Sequence, residues 1–141
     1  MKNYRLWAKI SAALMILTGS VHSLSLFVQS DPQNETERQM LELITTYRMD
    51  AGAGFHPSFA NLFTALSSCF SLLCFLGGLT ILYLLRKSVA GDVMKGVLNI
   101  HVVIFGICFA MMAVFTFLPP VVFTGLIFVT LVIARLQVRT A

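Results

Sequence analysis

Acidic residues are missing from every long apolar stretch of this chain. The runs Leu6–Val28, Phe59–Leu85, Val97–Leu118 and Val121–Ala134 contain no Asp or Glu, and their only charged residue is Lys9. Proton-coupled pumps and cation transporters depend on acids at such positions, which argues against transport by this chain alone. Charge as a whole is scarce. Asp, Glu, Lys and Arg make up 11 % of the residues, far below the roughly 25 % of a soluble domain. Cysteine is scarce too: Cys69, Cys74 and Cys108 all lie in apolar runs and form no C-x-x-C. Cys69 and Cys74 are five apart, so a helix points them about 140° away from each other. That spacing excludes a quinone-reducing pair and leaves each thiol as a small hydrophobe. No H-E-x-x-H, phosphate-binding glycine loop, Ser-His-Asp arrangement or metal-ligand cluster occurs, so no cofactor and no metal are expected. The pI near 9.3 does not imply nucleic acid, because the cations form neither a polybasic run nor an aromatic-interleaved patch.

What is present is apolar. Hydrophobic residues make up 57 % of the chain, more than a soluble fold of this length could bury, so lipid is the expected solvent. The pattern predicts an all-α integral membrane protein: a four-transmembrane-helix bundle forming a single domain over residues 1–141. The spans are placed at about 5–28, 57–85, 97–118 and 121–136. The basic start Lys2–Arg5 and the apolar stretch after it resemble a signal peptide. The run continues to Val28, however, which is long enough to span, and a retained helix is expected. Pro57 suits the first turn of the second span, and Pro119-Pro120 predicts a tight reversal before the fourth.

Between the first two spans lies the one long polar segment, Gln29–Pro57, with Asp31, Glu35, Glu37, Glu42 and Asp50 against Arg38 and Arg48. Asn34 followed by Glu37 is a capping-box-like helix start. Met40, Ile44 and Tyr47 then recur at helical spacing, predicting an amphipathic helix over about 35–49 that caps the bundle or lies on the membrane surface. Eight cations (Lys2, Arg5, Lys9, Arg86, Lys87, Lys95, Arg135 and Arg139) fall on one side of a four-span arrangement, and two, Arg38 and Arg48, on the other. The positive-inside rule then puts both termini in the cytoplasm and the acidic segment outside.

Small residues mark packing faces: Ala8, Ala12, Met15, Gly19 and His22 on the first span; Ser67, Ser71, Cys74 and Gly78 on the second; Gly106, Ala110 and Ala113 on the third. His22 is the candidate that stands out, an ionisable residue on an inward stripe. By depth, His22, Asn61 and His56 could converge beneath the amphipathic helix, near Tyr47 and Asp50, in an outward-facing polar pocket. These four, His22, Asn61, His56 and Tyr47, are the ligand-binding candidates, with His22 also the one candidate acid or base. His101 is placed about one turn into the third span, as part of an interfacial polar collar with Asn99.

Gly19-x-x-His22, the acidic segment, and a Ser/Phe-rich second span ending in Tyr83-Leu84-Leu85-Arg86 resemble small four-span bacterial membrane proteins of the DoxX-like and related families. The resemblance implies a multi-pass protein of the bacterial inner (plasma) membrane. It carries over no reaction: sterol-isomerase-like bundles use intramembrane acids and quinone-reductase bundles a C-x-x-C, and both are missing here. The expected role is non-enzymatic, either an accessory or assembly subunit or a binder of a lipid or apolar small molecule. Its partners would be the bilayer and another membrane protein or a second copy. The alternative is an enzyme acting on a lipophilic substrate through His22.

Overall fold

The computed structural model describes residues 3–28 and 31–138. Among these the chain is helical: α1 (Asn3–Ser25), α2 (Glu35–Thr46), α3 (Phe59–Lys87), α4 (Gly91–Phe115) and α5 (Leu118–Gln137). Three helices, α3, α4 and α5, are long and apolar enough to cross a membrane, with mean hydropathies of 2.1, 2.4 and 2.0. At 29 residues, α3 is about 43 Å long. That exceeds the roughly 30 Å of a hydrocarbon core, so in a bilayer it tilts or projects. α1, at 23 residues, is long enough, but it falls outside that set. Lys9, Ser11, Thr18, Ser20, His22 and Ser23 dilute its apolar character.

The helix limits differ from the sequence expectation for local reasons. α1 stops at Ser25, where single-turn bonds carry the chain to Val28. α2 stops at Thr46 rather than 49, because Arg48 turns away to pair with Ser58 in an isolated antiparallel bridge. α4 begins at Gly91, six residues before Val97. Asp92 in its first turn suits the positive end of the helix, and Gly96 is absorbed into its interior. α5 begins at Leu118 and takes both prolines into its first turn, where a missing N–H costs nothing. The reversal between α4 and α5 therefore needs only Thr116 and Phe117.

The contacts divide the chain into two compact units, residues 1–19 with 73–141, and residues 20–72. Lys2 and Arg139, counted among the cations above, lie outside the described residues.

In the first unit α1 runs antiparallel to α3. Arg5 donates to the Leu85 carbonyl at 2.6 Å, and further along Gly78 faces the Ala12 carbonyl and the Ile16 side chain. A Cβ on Gly78 would stand 2.8 Å from both. The buried stripe of α1 (Ala8, Ser11, Ala12, Met15, Thr18, Gly19) contains four of the five residues expected there, and His22 is half-buried. α4 and α5 are also antiparallel. The Phe128 ring covers Gly106 and the Phe109 ring covers Gly125. The two rings stack at 6.2 Å, and Arg135 donates to Asn99 at 2.7 Å. Aromatic rings thus fill this seam where close backbone approach was expected. Ala110 and Ala113 are exposed, and α4 instead buries Met94, Leu98 and Phe105. Four hydroxyls inside the helices are satisfied locally: Ser11, Thr18, Thr124 and Thr130 each donate to the carbonyl four residues back.

The second unit holds the end of α1 from Ser20, with His22, then α2, a hairpin-like turn and the first half of α3. Met49 N–H donates to the Pro57 carbonyl and Ala51 N–H to that of Phe55. The tip takes three successive positive φ angles at Gly52, Ala53 and Gly54, two of them at the residues that adopt them without steric cost.

Candidate functional site

The outward-pocket candidates His22, Asn61 and Tyr47 each have neighbours of their own. Asn61 is the N3 residue of a capping box with Ser58. Its amide oxygen accepts from Ser58 N–H (3.0 Å), Ser58 Oγ (2.9 Å) and the Arg48 guanidinium (2.9 Å), and its own N–H donates to Ser58 Oγ. The Asn61 amide oxygen is therefore occupied in starting α3 and clasping the hairpin. The signal for that was Ser58-x-x-Asn61 just ahead of an apolar run, a spacing that was open to notice in the sequence. His22 meets the Phe70 ring edge-on, with centroids 5.1 Å apart. Phe70 lies nine residues beyond Asn61 on the same helix, about two and a half turns away. His56 is exposed in the hairpin. Tyr47, the C-cap of α2, lines an apolar groove with Leu43, Ile44, Phe59 and Phe63, about 490 Å³ in volume. The Ser71 hydroxyl is buried in α3 with no hydrogen-bond partner among the described residues.

α2 itself has no buried residue. Its start is built as the sequence suggested: Asn34 Oδ1 accepts from Glu37 N–H at 2.9 Å. The Glu37 carboxylate bonds back to the Asn34 amide and to the Gln33 N–H. The Arg38 guanidinium forks onto Glu35 at 2.6 and 2.8 Å and holds that carboxyl below its ordinary value.

A second groove lies in the first unit, between α3 and α4. It is about 240 Å³ in volume and lined by Leu73, Leu76, Gly77, Thr80, Ile100, His101, Ile104 and Phe105. Gly77 presents no side chain in its wall, and a Cβ there would stand 3.1 Å from Met15 Sδ, 3.4 Å from Phe105 and 3.5 Å from His101 Cδ2. The His101 ring lies nearly parallel to Phe105, at 6.5 Å between centroids. Because α4 starts at Gly91, His101 is ten residues in, about 15 Å along the axis, and not one turn from the end as the sequence placed it. Its Nδ1 bonds to the Val97 carbonyl at 2.8 Å. A carbonyl only accepts, so Nδ1 carries the hydrogen, and in the neutral imidazole Nε2 is an acceptor. Among the described residues nothing donates to it, and the Thr80 hydroxyl forms no hydrogen bond either.

Among the described residues no three His, Cys, Asp or Glu side chains cluster as metal ligands would. The chain matches no protein-family model, no curated protein and no solved structure.

Proposed function

We propose that this is a four-span protein of the plasma membrane that holds an apolar ligand or lipid chain within the bilayer, without catalysing a reaction. In this arrangement α1 joins α3, α4 and α5 as the fourth span. α2 and the hairpin lie outside, and both termini are cytoplasmic. The antiparallel pairing of α1 with α3 supports the fourth span, because it places Arg5 beside the end of α3 that carries Arg86 and Lys87. The pairing of Arg135 with Asn99 likewise keeps the cationic end of α5 beside the first half of α4. Cations then collect at one end, as the positive-inside rule requires of a cytoplasmic face.

The observation that carries the ligand-binding reading is the α3–α4 groove. Its walls are apolar except at His101 and Thr80, the composition of a site for an apolar molecule fixed by a few polar groups. An acid–base role for His22 has less support, since its contact is the Phe70 ring and Asn61 is committed to Ser58 and Arg48.

Purification of the intact chain in mild detergent, followed by solvent extraction and mass spectrometry, tests this reading. A lipophile retained at near-stoichiometric level through delipidating washes is expected. A chain that emerges free of lipophile, but with a stoichiometric protein partner, would make it an assembly subunit instead.

A further inference from the structure

We infer that the α3–α4 groove takes a single-chain lipophile bearing a hydroxyl, whose O–H donates to Nε2 of His101 and whose oxygen accepts from Thr80. This rests on the proposed function and specifies its ligand. His101 lies six residues beyond Lys95 on α4, about 9 Å further from the cationic end. In hydrocarbon, a polar atom without a partner costs free energy that water cannot recover. Nδ1 is already bonded to Val97, so what remains unpaired in the groove is one acceptor, Nε2, and one hydroxyl, on Thr80.

A hydroxyl is the smallest group that both donates and accepts, so a single one can satisfy both. An ether or ester can only accept and would leave Nε2 bare. The edge of the His101 ring that includes Cδ2 faces Gly77, so the free nitrogen is adjacent to the groove rather than turned out along α4. The groove is open along one side, so a single alkyl chain can lie along Leu73, Leu76 and Ile104 with its remainder in the surrounding lipid. The hydroxyl could come from a free long-chain alcohol or from a monoacylglycerol headgroup, and both present the same donor.

The test uses the full-length chain in nanodiscs of dioleoylphosphatidylcholine, a lipid with no hydroxyl. Binding of radiolabelled 1-hexadecanol, its methyl ether and 1-monopalmitoylglycerol is compared, and the ¹⁵N shift of His101 Nε2 is followed in histidine-labelled protein. The alcohol is expected to bind about tenfold more tightly than the ether, the worth of one hydrogen bond, and to move the Nε2 resonance. His101→Phe keeps the ring and should abolish the preference, Thr80→Val should reduce it, and Ile104→Trp should block both ligands by filling the groove. Stronger binding of the monoacylglycerol than of hexadecanol supports the inference with a glycerolipid source, and the reverse supports it with a free alcohol. Equal binding of alcohol and ether to the unsubstituted chain would overturn the hydroxyl inference and leave apolar binding standing. A preference that survives His101→Phe would also overturn it. Binding of none of the three would overturn both the inference and the proposed function.

Discussion

At the scale of single residues, two glycines of one chain are under opposite constraints. Gly78 sits where α1 crosses, and any Cβ would press within 2.8 Å of a backbone oxygen. Backbone cannot swing aside as a flexible side chain can, so Gly78→Ala should destabilise the protein by about 1–3 kcal/mol. Gly96 lies inside α4 with nothing within 4 Å of its would-be Cβ, and Gly96→Ala should stabilise by about 0.5–1 kcal/mol. Unfolding of both variants in mixed micelles checks the pair. Ser88 offers a third case. It ends α3 with φ +50. Its N–H donates to Leu85 and that of Val89 to Leu84, which is a Schellman ending with serine where glycine is preferred. Ser88→Gly should raise stability by about 1 kcal/mol, measured in the same assay. The crossing at Gly78 was legible from the small-residue stripe. The roles of Asn61 and His101 were not. An asparagine near a helix start reads equally as a ligand group and as the N3 partner of Ser58, and the depth of His101 depends on a helix start that lies six residues before Val97.

At the scale of elements, α2 stands by local chemistry more than by packing, since none of its residues is buried. Its start was readable because a cap is a short-range signal: Asn34 and Glu37 are three residues apart and bond as that spacing implies. The start of α4 was not readable. Gly91, Asp92, Lys95 and Gly96 have the composition of a turn, and only Met94 and Leu98, buried against the unit's core, show that they are helical. Asn34→Ala should cost α2 about 1 kcal/mol, seen as faster amide exchange at Glu37. Acid should act on the same helix. The Arg38 guanidinium lowers the Glu35 carboxyl, so its contribution is complete above the ordinary carboxylate value and is lost as pH falls through the lowered one. Exchange protection in α2 should be flat from about pH 8 to pH 5 and decline below the carboxylate range, and Glu35→Gln should remove part of that decline. Protection that instead fell between pH 8 and pH 6 would rule out the Glu35–Arg38 pair as its source.

At the scale of the whole molecule, the issue is how many helices cross the membrane. α3, α4 and α5 have the length and hydropathy to do so, and α1 is the span in question. Its polar residues lower its hydropathy, yet Ser11 and Thr18 return their hydroxyls to their own helix, and its buried stripe packs on α3 through Gly78. Those arrangements remove much of the cost of placing α1 in lipid. Hydropathy alone cannot register them, because they depend on which neighbour covers which face. If α1 crosses, the N-terminus lies on the side opposite α2; if it does not, the two share a side. Labelling of single-cysteine variants with a membrane-impermeant maleimide separates these cases directly, with the unsubstituted chain as the control for Cys69, Cys74 and Cys108. The four-span account predicts that Glu42→Cys is labelled on intact cells, while Asn3→Cys and Asp92→Cys are labelled only after permeabilisation. Labelling of Asn3→Cys together with Glu42→Cys on intact cells would contradict it.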